Sequence, residues 1–318
     1  LFERAPYETA LSSKIVDVAK FEQLDLLHVH YAIPHAATAY MAKQILKTQG
    51  IDLPYITTLH GTDITLVGKD PTYAPVVTFS INQSDGVTAV SQDLKDQTYT
   101  NFQITSNIEV IPNFVDLTRF RKAKKEHFKK AIAPHGEKIL IHTSNFRKVK
   151  RTQDVVLIFQ KVHEQIPSKL LLVGDGPERQ NLEILCRDLN LSEYVRFLGK
   201  QDPVEELLAV SDLFLMPSET ESFGLAALEA MACQVPVIAS NAGGIPEIMI
   251  QGVTGFMSDV GDVDDMSKRA IFILIDDERH NQFKIQALEH AKKYDLEKVL
   301  PKYEAFYEKV LQDSTVVQ

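Results

Sequence analysis

The sequence predicts an α/β protein built from two Rossmann-like domains. Short, nearly continuous apolar runs alternate with amphipathic helical stretches along the whole chain, and a charged segment without an apolar run divides it near the middle. Such alternation is typical of βαβ units with buried parallel sheets. The 318 residues suffice for two domains with a core each.

The predicted strands are short apolar runs bounded by Gly, Pro or polar residues. They lie at residues 26–30, 55–59, 86–90, 108–111, 139–142, 169–173, 195–198, 213–216 and 235–239. A last helix is predicted at 296–311, after a break at Tyr294-Asp295. Because ligands of such sheets bind at the carboxyl ends of the strands, the loops after these runs are the first candidates for a site.

A linker is predicted at residues 119–137. This segment contains a charge run at 121–125 and a break at Pro134-His135-Gly136, but no apolar strand. We therefore divide the chain into a first domain at 1–120, a second domain at 121–295 and a C-terminal helix at 296–318.

Composition excludes several classes of function. A net charge of −9 argues against nucleic acid or an anionic membrane as the main partner. No apolar run approaches the ~20 residues that span a bilayer. Cys186 and Cys233 form no C-x-x-C pair, so a disulfide framework or a structural zinc site is disfavoured and a reducing cytoplasm fits. Neither G-x-G-x-x-G nor a P-loop motif is present.

The most informative segment is 217–232. Pro217 ends an apolar strand, Gly224 permits a close backbone approach, and a run of strong helix formers follows. Free N–H groups at the start of such a helix suit a phosphate or sugar oxygen. Glu221 lies just before this start and Glu229 lies two turns along. Two acids at this spacing are also common as a helix-start acid and an exposed helical Glu, so the pair alone leaves both interpretations open.

Two further segments combine polar residues with strand ends. Arg147, Lys148, Lys150 and Arg151 follow the strand at 139–142, where cations suit a diphosphate or form a solvated face. His60 ends the strand at 55–59, and Thr62 and Asp63 after it can cap the next helix. A histidine at a strand end is also common as a structural group.

The first domain also contains a cluster of histidines. His28 and His30 lie on one face of a strand and His35 follows in the turn, which is a spacing that a metal could use. We expect no metal here. His30 and Tyr31 are instead predicted to line the acceptor side of a cleft.

The segment from Glu221 to Glu229 resembles the E-x7-E signature of the retaining GT-B glycosyltransferases of family 4. Other segments resemble that family in the same order: His60-Gly61-Thr62-Asp63, Gly174-Asp175-Gly176, Phe197-Leu198-Gly199-Lys200 and Gly243-Gly244-Ile245-Pro246-Glu247. The resemblance implies a GT-B fold, with two Rossmann-like domains facing a cleft and the last helix crossing back to the first domain. The family's first strand and glycine-rich loop have no counterpart before Asp25, so we expect an incomplete first domain.

The resemblance also implies roles for individual residues. Arg147 and Lys150 would neutralise the leaving diphosphate. Arg151 is a possible substitute, because the spacing of the arginine and the lysine in this loop is shorter here than is usual in the family. Glu221 and the backbone of Ser222, Phe223, Gly224 and Leu225 would hold the sugar and the β-phosphate, and Glu229 would accept the ribose hydroxyls. His60, together with Thr62, would contact the transferred sugar, and Lys200 would offer backbone groups to the base.

Within the family, several strings resemble a member of bacillithiol biosynthesis. They are residues 28–36, 57–65, 88–91, Asn113-Phe114-Val115-Asp116 and residues 145–151. This likeness implies transfer of GlcNAc from UDP-GlcNAc to the hydroxyl of L-malate with retention, in the cytoplasm, without metal or cofactor, and a possible homodimer. It places Asn113 among the substrate-binding residues. The alternatives are a family-4 enzyme with another donor or acceptor, a non-catalytic UDP-sugar binder, and a GT-B-fold sugar epimerase.

Overall fold

The computed structural model describes residues 6–66, 70–123 and 126–316. Contacts divide the chain into two compact units. Unit 1 comprises Leu1–Pro112 and Val299–Gln318, and unit 2 comprises Asn113–Lys298. Each unit carries its own parallel sheet with helices between the strands, which confirms the predicted α/β class with two Rossmann-like halves.

In the described residues of unit 1, four parallel strands form the sheet in the order β1-β2-β3-β4. They are β1 (Leu27–His30), β2 (Tyr55–Leu59), β3 (Gly86–Ala89) and β4 (Ile108–Val110). The helices are α1 (Tyr7–Glu22), α2 (Ala37–Lys47), α3 (Ala74–Asn82) and α4 (Gln92–Asn101). Two π-helical turns, Ala32–Ala36 and Thr62–Leu66, follow β1 and β2 and place polar residues at the carboxyl ends of these strands.

The sheet of unit 2, within the described chain, has six parallel strands in the order β10-β9-β8-β5-β6-β7. They are β5 (Lys138–Thr143), β6 (Ser168–Val173), β7 (Val195–Gly199), β8 (Leu213–Met216), β9 (Val237–Ser240) and β10 (Gly255–Ser258). The helices are α5 (Glu126–Ile132), α6 (Thr152–His163), α7 (Arg179–Asp188), α8 (Glu205–Val210), α9 (Leu225–Ala232), α10 (Ile245–Ile248), α11 (Val263–Leu274) and α12 (Asp277–Ala291). The last helix, α13 (Leu296–Val316), belongs to unit 1 from Val299 onwards.

The strand order of unit 2 reverses between two neighbouring strands, β5 and β8. From β5 the chain moves outward to β6 and β7, and it then returns to β8 and moves outward the other way to β9 and β10. At such a switch point the loops after the two strands diverge to opposite faces of the sheet and leave a crevice between them. The loops after β5 and β8 contain Arg147, Lys150 and Glu221.

Strand β10 was not among the predicted strands. Its first residue, Gly255, has a φ of 148°, and a Cβ there would overlap the carbonyl oxygen of Val237 on β9. The strand therefore begins with a glycine that the pairing with β9 requires. A glycine followed by only two apolar residues does not form a recognisable apolar run, which is why the sequence does not reveal this strand.

The predicted linker is wrong over part of its length, because α5 forms within it. Ile132 is only 5% exposed, and Lys129 Nζ donates to Asp212 Oδ1 at 2.8 Å. The same carboxylate accepts from the backbone N–H of Ile139 at 2.9 Å, so an ion pair with a distant residue holds this helix beside β5. Lys124 and Lys125 of the predicted charge run lie outside the described residues.

Each unit has an apolar core of its own. In unit 2, Leu140 and Leu172 of the sheet pack with Phe159 of α6 and Ile273 of α11. In unit 1, Ile56 and Ile111 form a cluster whose remaining buried members, Val299, Phe306 and Val310, all come from α13. The last helix is therefore part of the core of unit 1.

Candidate active site

Two loops at the switch point of unit 2 carry most of the predicted site residues. We call residues 144–151, after β5, the cationic loop, and residues 217–224, after β8, the acidic loop. Phe146 is fully buried with a φ of 38°, so it anchors the cationic loop and leaves Arg147 exposed. A 3-10 turn, Lys148–Lys150, follows and presents Lys150.

The two loops are joined by one ion pair and one backbone hydrogen bond. Lys150 Nζ donates to Glu221 Oε1 at 2.6 Å, and Ser218 Oγ donates to the same oxygen at 2.9 Å. The backbone N–H of Glu219 donates to Val149 O at 2.8 Å. The side chains of Lys150 and Glu221 are 23% and 14% exposed, so the pair is largely withdrawn from water. Lys150 and Glu221, two predicted site residues that are far apart in sequence, are thus in direct contact.

The other two cations of the loop point elsewhere. Arg151 Nε donates to Asp154 Oδ2 at 2.6 Å, which directs this side chain towards the start of α6. Arg147 is exposed, and within the described part of the chain its guanidinium has no acidic partner. Lys150 is therefore the cation that meets Glu221, and Arg147 is available for an anionic ligand.

Two glycines hold the acidic loop. A Cβ on Gly243, whose φ is 61°, would overlap the carbonyl oxygen of Glu221, and a Cβ on Gly244 would overlap that of Ser222. The N–H of Gly244 donates to Glu221 O at 2.8 Å. The Gly-Gly start of α10 therefore sets the backbone position of Glu221, a function that its place in the sequence does not reveal.

A similar pair supports the cationic loop. A Cβ on Gly174, with a φ of 122°, would overlap Ser144 O, and a Cβ on Gly176 would overlap Asn145 O. The N–H of Glu178 donates to Phe146 O at 3.0 Å. The turn after β6 thus packs backbone against backbone on the cationic loop.

His142 stabilises the strands from which the two loops start, and it was not among the predicted site residues. It is 1% exposed at the end of β5; its Nδ1 bonds with Leu215 O at 2.8 Å and its Nε2 with Ser144 Oγ at 2.8 Å. Burial lowers the pKa of this imidazole to about 4, so it is neutral near pH 7. It ties the end of β5 to β8, and the signal for it was a lone polar residue in an apolar strand.

Helix α9 begins directly after the acidic loop. Gly224, the N-cap residue, has a φ of 94° and carries no side chain that could cap the helix, and the first N–H groups of α9 have no partner within the helix. Phe223 is 4% exposed, and its ring lies 5.9 Å from that of Tyr294. Burial raises the pKa of Glu229 to about 7, with Arg119 opposing and Glu205 adding to this shift.

Two of the predicted residues of unit 2 are not part of these loops. Lys200 is exposed directly after β7, and Asn113 is half-buried at the first position of the unit. No hydrogen bond or ion pair among the described residues joins either side chain to the cationic or the acidic loop. The proposed roles of both stay predictions.

In unit 1, three predicted residues form a compact group. His30 Nδ1 and His60 Nε2 share a hydrogen bond at 2.8 Å, and the rings of Tyr31 and His60 are 5.0 Å apart. Burial, and then the charge of His30, lower the pKa of His60 to about 4; burial also lowers the pKa of His30. His60 is therefore a neutral hydrogen-bonding group near pH 7, not a cation.

The remaining histidines of unit 1 have other partners. His28 bonds with Tyr307 Oη and Thr58 Oγ1, each at 2.7 Å, and His35 Nδ1 bonds with His30 O at 2.6 Å. Within the described ranges, no group of three or more His, Cys, Asp or Glu side chains is arranged to hold a metal ion.

The predicted capping role of Asp63 is wrong. Its carboxylate accepts from the N–H of Ala32 at 2.7 Å and from that of Gly61 at 3.1 Å, so it joins the turns after β1 and β2. These two turns are adjacent because β1 and β2 pair, which a local sequence pattern cannot show. Thr62 is exposed at the start of the second turn.

The arrangement in unit 2 suits a nucleotide sugar. It combines an exposed Arg147, a Lys150 already held against an acid, the N–H groups at the start of α9 and a half-buried Glu229. Cations and helix starts bind phosphate oxygens, whereas carboxylates accept hydrogen bonds from sugar and ribose hydroxyls.

Known proteins are similar to this chain in both sequence and fold. The profile of Glycosyltransferase Family 4 matches residues 1–119, and that of Glycosyl transferases group 1 matches residues 123–290. The N-acetyl-alpha-D-glucosaminyl L-malate synthase of Bacillus anthracis is 48% identical over 98% of this chain and 82% of its own length. An uncharacterized glycosyltransferase of Methanocaldococcus jannaschii is 26% identical over 92% of this chain and 78% of its own.

Solved structures agree on the fold. An Anabaena protein in complex with UDP matches with a TM-score of 0.81 at 22% identity, over 94% of this chain and 82% of its own. The sucrose-phosphate synthase of Thermosynechococcus elongatus matches with a TM-score of 0.78 at 21% identity, over 98% and 81%.

This chain belongs to the GT-B glycosyltransferases. Its first part matches Glycosyltransferase Family 4, and the part that follows matches Glycosyl transferases group 1. In the parts of the chain that the structure describes, no helix is both long and apolar enough to cross a membrane.

Proposed function

We propose that this glycosyltransferase moves GlcNAc from UDP-GlcNAc to the hydroxyl of L-malate with retention at the anomeric carbon. The observation that carries the proposal is the 48% identity with the Bacillus anthracis synthase over almost the whole chain. The joined cationic and acidic loops of unit 2 support it, because they offer both the charge and the acceptors that a nucleotide sugar needs.

The leaving group is UDP, so its growing negative charge is the main electrostatic demand of the reaction. Arg147 and Lys150 supply the opposing charge, and the first N–H groups of α9 add the positive end of a helix dipole. Arg151 is the weaker candidate because its ion pair with Asp154 directs it towards the start of α6, whereas the ion pair of Lys150 joins it to the acidic loop. These groups act on the transition state more strongly than on the bound substrate, which is what lowers the barrier.

The two acids hold the sugar and the ribose. Oε1 of Glu221 accepts from Lys150 and Ser218, which fixes the carboxylate so that its other oxygen can accept from a sugar hydroxyl. Glu229 accepts the ribose hydroxyls, and the backbone from Ser222 to Leu225 faces the sugar and the β-phosphate. Lys200 and Asn113 are assigned to the base side and the substrate on the resemblance alone.

In unit 1, neutral His60 would bind the transferred sugar, and Thr62 would assist it. His30 and Tyr31 would line the acceptor side. A neutral imidazole can both donate a hydrogen bond to and accept one from a sugar hydroxyl near pH 7.

The reaction forms a bond from the malate hydroxyl oxygen to the anomeric carbon on the face from which the phosphate oxygen leaves. The bond from that carbon to the phosphate oxygen breaks, and the hydroxyl proton passes to the departing phosphate. This front-face route needs no enzyme nucleophile and no metal, so chelators should leave the rate unchanged. A covalent sugar adduct on any side chain, trapped and found by mass spectrometry, would replace this mechanism.

The cellular setting is part of the proposal. Cys186 and Cys233 are buried and unpaired, which suits a reducing cytoplasm. We also propose a homodimer on the resemblance, and light scattering tests it.

The direct test is UDP release from UDP-GlcNAc with L-malate as acceptor. Succinate is the matched control, since it has both carboxylates but lacks the hydroxyl; it should compete with malate without accepting sugar. UDP-glucose and GDP-mannose test the donor. Release of UDP that depends on malate, and not on succinate, supports the proposal. Transfer from another donor, or donor binding without transfer to malate, would contradict it.

A further inference from the structure

Two short backbone segments, one near each end of unit 2, lie side by side. Val115 and Asp295 form a parallel bridge, in which the N–H of Val115 donates to Tyr294 O at 2.9 Å and the N–H of Leu296 donates to Val115 O at 3.1 Å. Tyr294 is the last residue of the 3-10 turn that precedes this bridge. These bonds fix the backbone on either side of Asp295, and they therefore fix the direction in which Tyr294 points.

The side chain of Tyr294 contacts two elements at the acidic loop. Its Oη donates to the carbonyl oxygen of Glu247 in α10 at 2.9 Å. Its ring meets the ring of Phe223 edge to face, with the centroids 5.9 Å apart and the planes at 75°. Phe223 belongs to the acidic loop and is 4% exposed, so this contact lies in the interior of the unit.

Helix α10 and the acidic loop also contact each other. The N–H of Gly244, at the start of α10, donates to Glu221 O at 2.8 Å. A Cβ on Gly224, at the end of the loop, would meet the side chains of Ile245 and Ile248. Helix α10 has only four residues, so its own hydrogen bonds stabilise it little and its position depends on its neighbours. Tyr294 bonds to this helix and packs on the loop, and it thereby holds the two together.

We propose that Tyr294 is a positioning residue of the donor site, which holds α10 and Phe223 together so that the acidic loop presents Glu221 to the transferred sugar. The proposal rests on the function proposed above for this loop. It also gives a function to the break at Tyr294-Asp295, which the sequence shows without explaining.

Loss of the Tyr294 ring should weaken sugar binding by a limited factor. Without the ring, the acidic loop spends less time in the binding position, and the apparent affinity falls by the same fraction. An edge-to-face aromatic pair contributes enough for a loss of roughly two- to tenfold. The loss should affect the sugar more than the nucleotide, because Glu221 holds the sugar, whereas Arg147 and Glu229 hold the diphosphate and the ribose.

The test compares Tyr294→Leu with Tyr294→Phe by calorimetry, using UDP-GlcNAc and UDP as probes. Tyr294→Leu should weaken UDP-GlcNAc roughly two- to tenfold and UDP by less. Tyr294→Phe keeps the ring and loses only a bond to the carbonyl of an exposed residue, so it should bind UDP-GlcNAc within about twofold of the unchanged protein. A ring that only stabilises the fold predicts no change in affinity, or an equal loss for both probes, and either result would overturn the proposal.

Tyr99→Phe is the matched control. Tyr99 Oη donates to Ser106 O at 3.0 Å within unit 1, so this variant undergoes the same chemical change at another backbone carbonyl. Both affinities should stay unchanged in it.

A double-mutant cycle with Phe223→Leu tests the path of the effect. If Tyr294 acts through Phe223, the double variant should lose no more UDP-GlcNAc affinity than the weaker-binding single variant, whereas additive losses would contradict that path.

Hydrogen exchange without ligand separates this proposal from the proposed function. The amides of Glu219 and Gly244 report on the acidic loop, since they donate to Val149 O and Glu221 O. If the unchanged protein does not bind UDP-GlcNAc, the proposed function fails. Faster exchange of these two amides in Tyr294→Leu, but not in Tyr99→Phe, would still support the positioning role of Tyr294, and unchanged exchange would refute it.

Discussion

At the scale of single residues, the site depends on which cation meets which acid. Lys150 and Glu221 hold each other at 2.6 Å with little exposure, and Arg151 is paired with Asp154. A charged group that is pre-positioned by a partner loses less freedom when a ligand binds. Lys150 can thus serve the diphosphate and orient Glu221 at the same time.

Replacing Lys150 should therefore cost far more than replacing Arg151. In Lys150→Ala, a charge-assisted hydrogen bond to the diphosphate is lost, and Glu221 remains half-buried without its counter-ion. Such bonds contribute about 1.5–3 kcal/mol, so UDP affinity by calorimetry should fall roughly tenfold to hundredfold. Arg151→Ala is the matched control and should change it less than threefold (roughly 0.6 kcal/mol). An equal or greater loss in Arg151→Ala would make Arg151 the phosphate ligand.

Residue chemistry could be predicted in part from sequence. Four residues stand out in the sequence because their charges follow apolar strands or flank a glycine turn: Arg147, Lys150, Glu221 and Glu229. The pairing of Lys150 with Glu221 could not be predicted, since it depends on β5 and β8 being neighbours in the sheet. The ion pair between Arg119 and Glu205 could not be predicted for the same reason, because the two residues are distant in the chain.

At the scale of elements, glycine turns position the two loops. Gly243 and Gly244 approach the backbone of the acidic loop, and Gly174 and Gly176 approach that of the cationic loop. A side chain has no space at these positions, and the obstacle is a carbonyl oxygen that can move only with its loop. The loops are therefore rigid because a second layer of turns packs on them.

Gly243→Ala should displace Glu221 and weaken UDP-GlcNAc binding. The matched control is Gly136→Ala, because Gly136 also has a positive φ, 83° against 61°, but a Cβ there would meet nothing within 4 Å. In both variants the alanine must adopt a left-handed backbone conformation, which should lower the free energy of unfolding by about 1–3 kcal/mol. Thermal unfolding measures this loss. Only Gly243→Ala should also lose donor affinity. Unchanged affinity in Gly243→Ala would show that the acidic loop tolerates the shift.

Strands with continuous apolar runs were predicted correctly, since burial on both faces leaves a clear signal. The elements that were missed, β10 and α5, are short and depend on distant partners. Gly255 of β10 is required by contact with Val237, and α5 is held by the ion pair between Lys129 and Asp212. Local patterns do not include such contacts.

At the scale of the whole molecule, the chain is organised as two units, and its last helix serves the first of them. Phe306 and Val310 of α13 pack with Ile56 and Ile111, which lie roughly 250 and 200 residues earlier in the sequence. Gly86 of β3 is also confined by this helix, since a Cβ there would lie 2.7 Å from a methyl group of Val310. Unit 1 therefore needs the C-terminal segment for its core.

Phe306→Ala should destabilise unit 1. Phe306 is 6% exposed, and truncation of such a buried ring costs about 3–5 kcal/mol through lost burial and the cavity that remains. Hydrogen exchange should become faster in β2 and β3, whereas the protection of β5 and β8 should change little. Glu304→Ala, at an exposed position of the same helix, is the control. Equal loss of protection in both units would show that they unfold together.

The sequence by itself determined the α/β class, the series of buried strands and the residue types of the donor site, because these depend on apolar periodicity and on motifs that are local in the chain. Only the tertiary structure decided which charges form ion pairs, which glycines pack against the two loops and which unit contains the last helix in its core. Those features arise from strand order and from contacts between distant segments. The sheet of unit 2 reverses direction at β5 and β8, and this reversal brings Lys150 to Glu221.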